Sequence, residues 1–309
     1  MIWLILTIVS YMLFGVTAVI DKFLLTKTVA SPKKYAFIVG ILGTLVFPLI
    51  ILVDTSGLTI FQITTSLTAG ILFIPTLVVF YEALKRYEAS RVMPIYGGLT
   101  PIFILIIIFI IFGDKNILNL REVMALVLLI AGSIIVTYSK NKFTSSIFIL
   151  PTLAALMMAI VSVITKVAYE GQSLISAIAL MRAGSLTGSL FLIFDKEIRD
   201  FVIQFFRKPF GALRVENKIN KGIMIFLINQ GLVVVASLMQ NIAVYFSEMK
   251  YVAIISAMAG VQYAFILIIT IFLSRYFPQI MKEDINKKTL IVKIFSISLI
   301  IGGLALLAL

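Results

Sequence analysis

The 309-residue chain contains no cysteine and no histidine. The first absence excludes disulfides, a thiolate nucleophile and cysteine metal sites. The second removes Ser-His and Cys-His dyads, imidazole ligation of haem and the common zinc sites. Charge is scarce as well: Asp, Glu, Lys and Arg make up 13% of the chain, against about 25% in an ordinary soluble domain. What fills the sequence is apolar, with 61% hydrophobic residues and a mean hydropathy of +1.14. This composition predicts a membrane protein, whose size is set by the number of segments that cross the bilayer.

A net charge of +12 invites a nucleic-acid reading. The basic residues, however, sit in short loops between apolar runs and form no separate domain, so the membrane surface is the expected partner and nucleic acid is not. The first 22 residues, MIWLILTIVSYMLFGVTAVIDK, have neither a basic n-region nor a small-x-small cleavage site. They read as a first membrane span rather than a removable signal peptide.

A hydrocarbon core about 30 Å thick needs roughly 20 apolar residues of helix. Runs of that kind fall near 1–20, 35–53, 63–83, 89–112, 120–138, 147–167, 173–194, 222–246, 252–274 and 289–309. The expected fold is an all-α membrane protein with ten transmembrane helices. The halves resemble each other in order: GLTPIFILI at 98–106 lies over GVQYAFILI at 260–268, AVIDK at 18–22 over SVITK at 162–166, and LIAGSIIV over IIGGLALL. Two five-helix copies, 1–140 and 147–309, follow, and an odd number of spans per copy forces the second to lie inverted.

Lys and Arg concentrate in the loops after odd-numbered spans, including Lys33, Lys34, Lys85, Arg86, Lys140 and the stretch 195–221. By the positive-inside rule these loops are cytoplasmic and both termini face outward, in a multi-pass protein of the cell (plasma or inner) membrane. Within the basic loop 195–221, Ile198, Phe201, Val202, Phe205 and Phe206 recur at helical spacing beside Arg199, Arg207 and Lys208. A short amphipathic helix in the headgroup region and a basic solvated linker both fit that pattern.

The fourth span carries Pro94, Gly97, Gly98 and Pro101 about one turn apart on one stripe. Each proline leaves an upstream carbonyl without its helical N–H partner, which is tolerable at membrane depth where protein, water or a ligand can reach it. The glycines permit close approach. The equivalent part of the ninth span holds Ser256, Ala259, Gly260, Gln262 and Tyr263, again small or polar. Both segments are expected to face a cavity near the midplane, although simple close packing of helices also accounts for such residues.

Residues 81–138, YEALKRYEASRVMPIYGGLTPIFILIIIFIIFGDKNILNLREVMALVLLIAGSIIVTY, resemble the second part of the EamA repeat of the drug/metabolite transporter superfamily. The matching positions are Ala83, Leu84, Lys85 and Tyr87 at the end of the third span, Pro101 within the fourth, Gly113-Asp114 in place of a Gly-Glu hairpin, and Ala131-Gly132 in the fifth. In the second copy Gly302-Gly303 fits, while the hairpin SRYFPQIMKEDINKK is longer and lacks the Gly-acid pair. The resemblance implies a ten-helix carrier with a cavity lined by spans 1, 3, 4, 6, 8 and 9, moving amino acids, nucleosides, sugars, drugs or other small metabolites, commonly outward. Related small multidrug carriers use a glutamate in the first span, whereas here no carboxylate precedes Asp21. Ten-span relatives are thought to keep both ends in the cytoplasm, opposite to the loop charge, so the orientation stays open.

Arg182 is the one ionisable residue near the centre of a span, where a charge costs at least about 2.5 to 3.5 kcal/mol. It can bind a substrate anion, or pair structurally with helix-end carbonyls or snorkel. Lys22 and Lys166 hold equivalent span ends, where snorkelling suffices. The eighth span offers Asn229, Gln230, Ser237, Gln240 and Asn241, and the third ends in Tyr81 and Glu82. Gly184 and Gly188 form a GxxxG pair suited to helix packing. The candidate substrate-binding set is Arg182 and Tyr81, with Tyr96, Gly97, Gly98 and Pro101 from span four. Gln240, Asn241, Gln262 and Tyr263 complete it.

No Asp or Glu lies in the middle of a span, which favours facilitated transport or exchange over ion coupling. The expected function is secondary transport, as exporter, facilitator or exchanger, of small polar or amphipathic metabolites. Its partners are a small-molecule substrate and the bilayer, with a homodimer left open and no cofactor. The rivals are a membrane-embedded enzyme acting on lipid-linked substrates through Asp195, Glu197 and Asp200, and a scaffold without transport. The carboxylates are interleaved with Lys196 and Arg199, as a solvated charged turn would be, and repeated halves serve no scaffold.

Overall fold

In hydrocarbon every backbone N–H and C=O must pair within its own segment, which the apolar runs achieve as helices. The computed structural model describes residues 2–28, 31–43, 57–87, 89–113, 118–137, 146–207, 217–276 and 287–308, and all regular structure among them is helical. The elements are α1 (Ile2–Thr28), α2 (Pro32–Leu42), α3 (Ile60–Arg86), α4 (Ala89–Phe112), α5 (Leu120–Thr137), α6 (Ser146–Ala168) and α7 (Leu174–Phe191). A 3₁₀ turn follows, then α8 (Lys196–Arg207), α9 (Asn217–Phe246), α10 (Tyr251–Ala257), α11 (Ala259–Tyr276) and α12 (Lys287–Ala308). Five segments among the described residues are long and apolar enough to cross a membrane: Ile60–Arg86, Ile95–Phe112, Phe148–Ala168, Leu174–Phe194 and Ile228–Phe246. Shorter apolar stretches lie in α1, α10–α11 and α12.

The sidedness of α4 tells what surrounds it. Ile102, Ile106, Phe109 and Ile110 are exposed, while Val92, Ile95, Ile104 and Ile108 on the other stripe are buried. An exposed aliphatic stripe of this length fits contact with acyl chains. Gly97, Gly98 and Pro101 lie on the buried side, so the stripe does face inward. The helix runs unbroken through both prolines. Pro94's side chain lies outside the described residues.

Helix pairing follows small residues. In α3 and α7, a β-carbon at Gly70 would overlap the Met181 carbonyl and one at Gly184 the Leu67 carbonyl, so the two backbones touch. The Gly184/Gly188 pair thus packs helices, as its spacing predicts. In α5 and α12, a β-carbon at Gly132 would stand 2.9 Å from the Ser296 carbonyl and one at Gly303 3.0 Å from that of Ala125. Elsewhere α1 packs on α9 and α11, α6 on α3 and α4, α2 on α3 and α7, α10 on α4, and α11 on α5.

Two sequence expectations are corrected. The ninth span is not one helix: Val261 N–H donates to the Met258 carbonyl three residues back, and the helix breaks there into α10 and α11. Just past the break, a β-carbon at Gly260 would overlap Ser133 Oγ, so the interruption accompanies a close approach to α5. Within 195–221, residues 196–207 are helical, but the apolar face rests partly on protein rather than on headgroups alone: Ile198 is fully buried and Phe201 meets Phe37 edge-on at 6.4 Å. The acidic cluster is a solvated charged turn with partners: Asp195 pairs with Lys33 at 2.5 Å and Glu197 with Lys34 at 3.7 Å, all four side chains partly exposed. The second span is described only as α2, the remainder of 35–53 lying outside the described residues.

Candidate functional site

Polar side chains on four helices meet inside the apolar shell. Tyr11 of α1, Tyr96 of α4 and Tyr263 of α11 lie within electrostatic range of one another. From α9, Gln240 Nε2 donates to the Tyr11 hydroxyl at 3.1 Å. Gln262 Nε2 of α11 reaches the Phe14 carbonyl of α1 at 3.4 Å. The missing Cβ of Gly97 makes room for the Tyr263 hydroxyl, which would otherwise stand 3.2 Å from it and which lies 3.7 Å from Met93 Sδ. Pro101, four residues after Gly97, is the residue that withholds a helical donor from the Gly97 carbonyl. Thr100 Oγ1 turns back onto the Tyr96 carbonyl at 2.6 Å. An aromatic row continues outward: Phe80 lies 4.6 Å from Tyr96, and Tyr81 packs edge-on against Tyr35 at 4.8 Å. Phenols, amides and ring faces together can hold a solute that is polar at one end and flat or apolar at the other.

Arg182 approaches the same α9 face. Ile178 and Met181 of α7 pack with Leu238 of α9, and Arg182 Nη2 donates to Ser237 Oγ at 3.3 Å. Ser237 precedes Gln240 by three residues, so both lie on one side of α9. Ser237 is about 14 Å from the Phe246 end of that helix at 1.5 Å per residue.

The sequence-predicted residues divide. Tyr96, Gly97, Gln240, Gln262 and Tyr263 come together, and Arg182 joins their rim. Tyr81 lies at the aromatic outskirts and Pro101 is buried beside the cluster's helix. Gly98 points elsewhere: a β-carbon there would meet Ile134 of α5 at 3.1 Å, so its role is helix packing. Asn241 is half-buried next to Gln240. Lys166 does not snorkel. It is buried and donates to the Val244, Tyr245 and Ser247 carbonyls at 3.2, 3.2 and 2.5 Å, closing the C-terminal end of α9. The side chain of Lys22 lies outside the described residues. Sequence reasoning missed Tyr11 and Phe80; a hydroxyl or ring among aliphatic residues in the first and third spans was the available signal.

The end of the molecule that carries the α6–α7 and α9–α10 turns is tied together by polar bonds. Asn119 and Glu122 cap α5 reciprocally, at 2.8 and 2.9 Å, and the other carboxylate oxygen of Glu122 accepts from Lys250 Nζ at 3.0 Å and Tyr251 Oη at 2.8 Å. Tyr251 stacks on Trp3 at 5.0 Å. Gln62 Nε2 donates to the Gly171 carbonyl and Gln172 Nε2 to Ser66 Oγ, both at 2.8 Å. A depression lined by Trp3, Leu4, Arg121, Glu122, Tyr251, Leu306 and Leu307 opens at this end, away from the tyrosine cluster.

No protein-family model matches the chain, and no curated protein does. A solved structure, described only as the crystal structure of a protein, is similar over 98% of this chain and 95% of its own, with a TM-score of 0.64 at 13% sequence identity. The likeness spans both chains almost end to end and concerns the fold alone.

Proposed function

We propose that this chain is a secondary transporter of small polar or amphipathic metabolites, built as two inverted five-helix repeats and related to EamA-type carriers. The observation that carries the reading is the polar, aromatic cluster of Tyr11, Tyr96, Gln240 and Tyr263, drawn from α1, α4, α9 and α11 and enclosed by helices whose outer faces are aliphatic. A buried polar cluster inside a lipid-facing bundle is where a carrier holds its cargo.

The helix pairings support the repeat. Exchanging the first five spans for the second five maps α1 on α9 onto α6 on α3, and α1 on α11 onto α6 on α4. The α5–α12 and α2–α7 pairs map onto themselves. The loop charges favour outward-facing termini, with the basic loops in the cytoplasm. The bonds from Glu122 to Lys250 and Tyr251, and from Gln62 and Gln172 across the chain, join one half to the other at the end that carries the α6–α7 and α9–α10 turns, and Lys33–Asp195 and Lys34–Glu197 join them at the opposite end, as ties that hold a carrier's two halves together would. With no carboxylate in mid-span, movement is facilitated or by exchange.

Flux of labelled solutes into proteoliposomes tests this. Saturable uptake that falls in Tyr263→Ala, with the variant folded, supports the reading; absence of saturable flux for every solute that binds the purified protein overturns it.

A further inference from the structure

The cluster described above is neutral apart from Arg182, and among the described residues the guanidinium has no ion-pair partner. No span carries a carboxylate in its middle, and among the described residues Arg182 makes a single hydrogen bond, to Ser237, although a guanidinium has five N–H donors. A second donor waits nearby. Tyr169, at the turn after α6, is 3% exposed and packs in one cluster with Ala177 and Ile178, the latter one turn before Arg182 on α7, and among the described residues its hydroxyl has no hydrogen-bond partner. Its ring packs edge-on against Tyr245 of α9 at 5.7 Å. Gly43 packs against the same side chain, where a β-carbon would lie 3.4 Å from Arg182 Cδ and 3.5 Å from Nη1.

A cation with one neutral acceptor for its five N–H donors and a buried hydroxyl with none are both served by an oxyanion. We infer that Arg182 and Tyr169 form an anion subsite, and that the cargo is a small organic anion whose carboxylate or phosphate group sits on these two residues. The body of the solute then extends along α9 by one turn, from Ser237 to Gln240, into the tyrosine cluster. A planar guanidinium holds either oxyanion through parallel N–H···O bonds, and a phenol adds a third donor. A neutral solute leaves the buried charge uncompensated, and a cation adds repulsion to it.

This inference rests on the transport reading for its meaning, but its test does not use flux. The melting temperature of the purified protein in detergent is measured with benzoate, phenyl phosphate, benzamide and benzylammonium, which share a ring and differ in charge. A ligand that prefers the folded state raises that temperature. The expected result is a rise with benzoate or phenyl phosphate and none with benzylammonium, the larger rise identifying the preferred oxyanion. Arg182→Gln should weaken apparent anion affinity on the order of tenfold or more, the loss expected for a charge-assisted bond. Tyr169→Phe removes only an unpartnered oxygen, so that variant should fold at least as well as the parent while its anion-induced rise shrinks. Equal responses to benzoate and benzamide, or an anion response unchanged in both variants, would overturn the subsite. Anion binding without flux in liposomes would instead count against transport.

Discussion

Gly97 of α4 faces the hydroxyl of Tyr263 of α11, and a β-carbon at position 97 would stand 3.2 Å from that oxygen. In the aligned halves Gly97 lies over Ala259 and Tyr263 over Pro101, so the contact joins the same short stretch of each half, offset by four residues. Where one half contributes space, the other contributes a side chain.

That complementarity gives the first prediction. Gly97→Ala demands a shift of a few tenths of an ångström from a ring that can give, so stability should change by less than about 1 kcal/mol. Gly97→Leu fills the space held by Tyr263 and should abolish saturable uptake while the protein remains extractable and helical. Full uptake by the leucine variant, measured in proteoliposomes, would remove position 97 from the cavity wall.

The glycines of α3 and α7 predict a different phenotype. At Gly70 and Gly184 the added carbon would overlap backbone carbonyls, which have no rotamer to escape into. Gly70→Ala and Gly184→Ala should each lower stability by about 1–3 kcal/mol or more, the usual range for overpacking. Gly231 of α9 has open space around it. Gly231→Ala should be neutral or stabilising by roughly 0.5–1 kcal/mol, as for glycine in a helix interior. Thermal unfolding in one detergent compares the three.

Lys166 predicts a helix-end effect. Its ammonium donates to three carbonyls at the end of α9, which have no further turn to bond. Lys166→Met keeps the packing and removes the donors; the Val244 carbonyl keeps Ser247 Oγ at 2.9 Å, while the Tyr245 and Ser247 carbonyls lose the ammonium, at about 1–3 kcal/mol for each group stranded. Lys166→Arg restores cationic donors and should recover part of that loss. A methionine variant as stable as the parent would return Lys166 to an interfacial role.

Much of this was legible in the sequence because hydrocarbon is a demanding solvent. Apolar runs of sufficient length gave the helices, and small residues at helical spacing, Gly184 and Gly188, marked where two of them touch. What escaped were matters of direction. Gly97 and Gly98 are adjacent in sequence, yet a helix turns about 100° per residue, so one meets Tyr263 and the other Ile134 of α5. Periodicity in an all-apolar span scarcely distinguishes a lipid face from a protein face, since both are aliphatic. Lys166 and Lys22 read alike for the same reason: a lysine at a span end can reach headgroups or carbonyls, and only the position of α9 decides. The break at Met258 was invisible because no proline announces it.

The Glu122–Lys250 pair joins the halves and should govern opening at its end. Burial is the largest single influence on Lys250 and opposes its charge, but the hydrogen bonds and charges of Glu122 and Tyr251 together outweigh it and hold the ammonium above the usual lysine range. A raised pKa contributes stability below the ordinary lysine value and loses it as pH climbs through the raised one, so lysine titration leaves closure unaffected between about pH 6 and 9. Glu122→Gln weakens the acceptor of both Lys250 and Tyr251. Because the chain has no cysteine, a single Ser247→Cys, at a buried position, reports opening directly. Labelling by a membrane-impermeant maleimide should be several-fold faster in the Glu122→Gln background. Equal rates would mean that the pair fastens loops and not the two halves.

Arg182 carries a prediction about the mode of transport. An alternating carrier must pass through an occluded state both loaded and empty. In the loaded state a bound anion neutralises Arg182; in the empty state the guanidinium has Ser237 and no counter-charge among the described residues. A charge near mid-membrane is disfavoured by at least about 2.5–3.5 kcal/mol, and each 1.4 kcal/mol relieved by the cargo speeds the loaded passage about tenfold over the empty one. Anion on the far side should therefore accelerate uptake tenfold or more, so that exchange dominates net flux. Arg182→Gln removes the penalty from the empty form and the attraction from the loaded one. In that variant cargo binding weakens while the ratio of exchange to net flux falls towards one. Proteoliposomes preloaded with anion or left empty measure that ratio, and a parent protein that shows no acceleration would mean the empty carrier shields Arg182 by other groups.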